Sequence, residues 1–195
     1  MRDGRPRRYA LKPVPAFADP DVGLAAAALD ELRARVSDQI ADLSPDELRR
    51  VPEGTTLSIG ALAVHLVWAE AGWIERITGL SAPPDLREAL DDVGRAVAAG
   101  ATAVPDLGAE ELVALCRRIG DEFTLPALAD LIELDRPFES ARQPNTPRQV
   151  LMHLIWHWTY HSGHIGLLRD LSGAGYAWTF AATEWSSETP QEDAL

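Results

Sequence analysis

Twelve residues from His153 to His164, HLIWHWTYHSGH, hold four of the five histidines in the sequence. At about 100° per residue, His153, His157, His161 and His164 fall within an arc of roughly 80° on a helix, so all four can face one region. Two imidazoles four residues apart can be aimed at a single ion, whereas adjacent ones diverge, and the His157/His161 pair has that separation. The remaining histidine, His65, lies in the apolar face of a second amphipathic segment with Leu62, Leu66, Ala69, Trp73 and Ile77. A facing helix of a bundle can supply a third ligand from such a position. Alone, a histidine on an apolar helix is usually a hydrogen-bonded core residue. The stripe and the one other histidine together point to a metal site at His65, His157 and His161.

Helix punctuation recurs along the chain. Asp19-Pro20 opens a run to about Leu43, with Leu24, Ala28, Leu32, Val36 and Ile40 on one face. Ser44-Pro45-Asp46-Glu47 reads as a capping box starting a short helix. The spacing predicts further helices over about 57–78, stopped by Gly79, over 86–99 before Gly100 and Pro105, and over 109–122. Pro126 should interrupt or kink the next stretch, and Leu134 to Thr146 reads as an irregular crossover. Thr146-Pro147-Arg148-Gln149 reads as the start of the histidine helix, with Thr146 as cap, Pro147 in the first turn and Gln149 completing a capping box, and the helix ends at Gly173. The expected fold is all-α, with four main helices, short additional ones, and no fixed-period repeat. Residues 1–20 are expected to be a solvated extension and 174–195 a second one, polar and acidic from Ser186 to Leu195.

Ala and Leu outweigh β-branched residues, which agrees with helices. The single cysteine, Cys116, excludes an intramolecular disulfide framework and a cysteine metal cluster, so any metal needs histidine or carboxylate ligands. In an apolar helix it reads as a small core residue. A net charge of −12 disfavours nucleic acid as a partner. No apolar stretch is long enough to span a bilayer, and the basic N-terminal residues lack the apolar core of a secretory signal, so a soluble cytoplasmic protein is expected.

The segments LSIGALAVHLVWAEAGWIERITG around His65 and TPRQVLMHLIWHWTYHSGHIGLLRDLSG around His157 and His161 resemble the DinB-like metal-binding superfamily, whose relatives include thiol-dependent isomerases and S-transferases. The resemblance covers roughly Val22 to Gly173 and places the bundle at residues 21–173. It implies a four-helix bundle with a long crossover and matches His65, His157 and His161 to the ligand positions. His164 stands in HSGH where many relatives have HRGQ, and could orient a ligand or move a proton. His153 is expected at the boundary of the site.

Three neutral imidazoles would leave zinc, nickel or a similar divalent transition metal with an open position for water or a thiol. The resemblance favours transfer or isomerisation with a low-molecular-weight thiol and a small-molecule electrophile. A metal-dependent hydrolase is the alternative, and a non-catalytic, stress-associated metal-binding protein remains a different class. A homodimer is plausible from the same resemblance. Of the aromatics Trp68, Trp73, Trp156, Trp158 and Tyr160, helical geometry makes Trp68 the expected pocket neighbour and turns Tyr160 away from His161. Glu70 and Glu75 are expected to be solvated.

Overall fold

A computed structural model describes residues 2–99, 106–139 and 145–180. The expectations at Gly100, Pro105 and Ser186 to Leu195 lie outside these residues.

Among the described residues, seven α-helices, α1 (Pro20–Ile40), α2 (Pro45–Arg49), α3 (Ile59–Thr78), α4 (Pro84–Ala99), α5 (Ala109–Arg118), α6 (Leu125–Leu128) and α7 (Pro147–Leu171), make up most of the fold. Local chemistry sets their ends. The Asp19 side chain accepts from the Asp21 N–H at the start of α1, and Ser44 and Glu47 form the reciprocal capping box of α2. Gly79 ends α3 at φ 70°, a left-handed conformation that costs glycine no Cβ clash. Thr146 caps α7 by accepting from the Gln149 N–H, while the Gln149 side chain reaches Asn145 rather than closing a box on Thr146.

The helix expected over 109–122 ends four residues earlier. From Ile119 to Thr124 the backbone winds as a π-helix, and the Leu125 N–H bonds to Gly120 O where the short helix α6 begins, with Pro126 in its first turn. Proline brings no N–H to the ladder, so the winding changes where it approaches.

Helix α1 packs against α7 and α5, and α3 packs against α7, α4 and the π-wound turn. Val22, Leu29, Val36, Ile40, Leu66, Ile74, Leu154, Trp158 and Ile165 are fully buried between them. The chain from α6 to α7 crosses the bundle without helix, apart from the undescribed 140–144. The bundle is therefore the helical architecture expected, with a long crossover.

Two further features of the fold depart from the sequence reading. Residues Arg2–Arg7 form a strand, β1, pairing in parallel with β2 (Tyr176–Phe180). The expected solvated N-terminal residues are instead tied to α1. Arg2 bonds to Asp38 and Asp42, the Arg5 N–H bonds to Asp38, and the buried Glu31 receives Arg5, Arg8 and Arg35. A Cβ on Gly4 would overlap the Tyr176 ring, which makes glycine the residue that lets the strands close.

The second departure is Glu70, which is fully buried rather than solvated. Arg33 of α1 donates to it at 2.6 Å, as does the Thr124 hydroxyl at 2.6 Å. A Cβ on Gly120 would lie 2.6 Å from the Arg33 Nε, so that glycine leaves room for the guanidinium. Glu75 also has a partner, Arg87 of α4. Cys116 is the small core residue expected, and burial pushes its thiol up to about 12, away from nucleophilic use.

Candidate metal centre

His65 comes from α3, and His157 and His161 come from successive turns of α7. One ring nitrogen from each lies within 4.8 Å of the others. The Nε2 atoms of His65 and His157 are 2.9 Å apart. The three ring planes cross steeply, at 75° for His65 and His157, 86° for His65 and His161, and 88° for His157 and His161. They do not stack, so their edges meet in one small volume instead of packing face to face.

The electrostatics suit cation ligation. Burial, joined by repulsion from His161, His65 and His153, holds His157 down to about 3. Burial, then His65 and His164, holds His161 down to about 4, and burial lowers His65. All three are neutral near pH 7 and offer lone pairs. Each ring is half-buried, so the cluster is open to small molecules. Its donors are nitrogen only, the set that suits zinc or nickel. The buried Nδ1 of His157 has no hydrogen-bond partner among the described residues.

His164 lies one turn beyond His161, and the two Nδ1 atoms are 3.3 Å apart. A hydrogen bond there needs one ring to donate from Nδ1 and the other to accept, so the two tautomers are coupled. His153 stands outside the cluster, stacked on His157 with centroids 5.5 Å apart. Tyr160, expected to face away, stands edge-on to His161 at 5.3 Å and to His164 at 4.2 Å. Its ring leans across the turn, which angular position alone does not reveal. Trp73 meets His153 at 5.5 Å. Trp68 is 44% exposed and lays one indole edge on α4, where a Cβ on Gly94 would be 2.7 Å from its Nε1. Trp158 is wholly core. Sequence reasoning did not single out Arg76, whose guanidinium lies over the Trp73 ring; the i,i+3 spacing on α3 was the available signal.

Residues 24–173 match the family described as mycothiol-S-transferase. No curated protein matches the sequence. Among solved structures, a crystal structure of a conserved protein from Enterococcus faecalis shares the fold, with a TM-score of 0.64 at 17% identity, covering 77% of this chain and 96% of that one. No helix among the described residues is long and apolar enough to cross a membrane.

Proposed function

The chain belongs to the mycothiol-S-transferase family of the DinB-like superfamily, and we propose that it joins the sulfur of mycothiol to a small electrophile at a divalent metal held by His65, His157 and His161. The convergence of three neutral imidazoles from two helices carries this reading. The family supports a thiol as the second reactant.

A zinc or nickel ion there would supply a Lewis-acidic open position that favours the thiolate over the thiol. The protein's own residues do the rest. His157 and His161 present nitrogens from one rigid helix, so their separation is set by the helical turn. His65 closes the set from α3, and the α3–α7 packing fixes its approach. His164 holds His161 through Nδ1, keeping its other nitrogen directed inward. Tyr160, edge-on to His161 and His164, supplies an apolar wall for the electrophile.

Purified protein should carry close to one equivalent of metal by elemental analysis, and a His65/His157/His161 triple-alanine variant should carry none. Metal-loaded protein should consume mycothiol with an electrophile, and a folded His161→Ala variant should lose at least about a hundredfold in rate. Equal metal content in the two proteins sinks the site. Metal-dependent ester hydrolysis without thiol consumption would replace transfer by the hydrolase reading. Binding without turnover would leave a metal-binding protein.

A further inference from the structure

The imidazole cluster continues beyond its three members. Along the α3–α7 seam, His153 stacks on His157 at 5.5 Å, Trp73 stands edge-on to His153 at 5.5 Å, and the Arg76 guanidinium lies over Trp73 at 5.2 Å. A run of rings thus leads from the reactive centre to a cation in the last turn of α3. Most arginines of the described residues are held by a carboxylate, as Arg2, Arg33, Arg118, Arg148 and Arg169 are. Arg76 is exposed and has no carboxylate partner among those residues; its neighbour Glu75 is engaged by Arg87. At the same end of the seam, Ile77 of α3 and Pro147 of α7 border a cavity of about 340 Å³, where Arg136 is neutralised by Glu133, leaving Arg76 as the nearby arginine without a carboxylate partner among the described residues.

A chain with net charge −12 repels anions on average, so an anionic substrate needs a local cation. A guanidinium offers paired N–H groups matched to a carboxylate, and stacking on an indole fixes its plane. We propose that the His153–Trp73–Arg76 run holds an elongated, carboxylate-bearing electrophile, its carboxylate on Arg76 and its reactive carbon at the three imidazoles. This rests on the S-transfer reading above. In the reaction the thiol sulfur forms the C–S bond, the leaving group departs with the electrons of its bond to carbon, and the thiol proton passes to solvent.

The probe is a biphenyl carboxylic acid with a bromomethyl group at its far end, compared with its methyl ester. Metal-loaded protein should show a KM about tenfold lower for the acid, with similar kcat. Arg76→Gln should erase that preference, raising KM for the acid alone, and Arg76→Lys should retain part of it. The unreactive biphenyl carboxylate, titrated by calorimetry, should bind Arg76→Gln about tenfold more weakly than wild type. Equal KM for acid and ester in the wild type, or an equal loss for both in Arg76→Gln, overturns the proposal. So does an Arg76→Gln variant that melts earlier but keeps the acid-to-ester ratio, since Arg76 would then serve only the helix end. Arg76-dependent carboxylate binding without any thiol transfer would overturn the catalytic reading and leave the anion site standing. Transfer without acid preference would do the reverse.

Discussion

Glu70 shows how much one side chain can commit a fold to. A carboxylate with no exposure is tolerable only with a cation and a hydrogen-bond donor beside it, and Arg33 and Thr124 supply both. Glu70→Ala should cost about 3–5 kcal/mol in urea unfolding, because Arg33 would keep a buried charge whose nearest carboxylate is the exposed Asp30, 3.9 Å away. Replacing Arg33 and Glu70 together by Met and Leu should cost clearly less; an equal loss would show that packing rather than charge dominates. The clustering of His65, His157 and His161 was legible because its signal is local: spacing within α7 and the amphipathic face of α3. Glu70 was not, because its partner lies 37 residues earlier and helical periodicity says nothing about which charged residue meets another. Tyr160 was misread for a related reason, since a side chain's lean depends on its rotamer as well as its helical angle.

At the scale of elements, the caps were the most readable part of the sequence. Asp19, Ser44 and Thr146 each begin a helix by accepting a backbone N–H, and Gly79 ends one. Thr146→Ala should lower stability by about 1 kcal/mol, seen as a reduced urea midpoint with an unchanged slope. A change in slope would mean that the crossover ahead of α7 had loosened as well. The π-wound segment was not readable. Its apolar residues keep a helical period while the backbone takes an extra residue per turn around Gly120, and only the demand of Arg33 for space explains a glycine there. The strands escaped notice for the opposite reason. Tyr176-Ala-Trp-Thr-Phe has a strand-like alternation, but its partner, RDGRPR, is charged and contains a proline, and so reads as a tail.

For the whole molecule, the two strands act as a clasp fixed to the far end of α1. Asp42 bonds to Arg169 at 2.8 and 3.0 Å and to Arg2 at 2.8 Å, joining the turn after α1 to α7 and β1. Arg169, with Arg2 behind it, holds the Asp42 carboxyl down to about 2 against an ordinary 3.8. The folded value is the lower one, so this stabilisation is present above the unfolded value and is lost as pH falls from about 4 to 2. Solvent screens the partly exposed carboxylate and keeps the effect modest. The stability difference between wild type and Asp42→Asn, followed by urea unfolding, should therefore shrink across that interval. A difference that held constant down to pH 2 would remove Asp42 from the clasp.

The clasp also sets an order of events. Arg2 pairs with Tyr176, so the strand that leaves the ribosome first has no partner until the histidine helix and the turn after it have been made. Closing so long a loop gains little until the bundle has already brought α1 and α7 together. The imidazole cluster, built from α3 and α7, can thus assemble before β1 finds its place, and the β1–β2 pairing seals a bundle already closed.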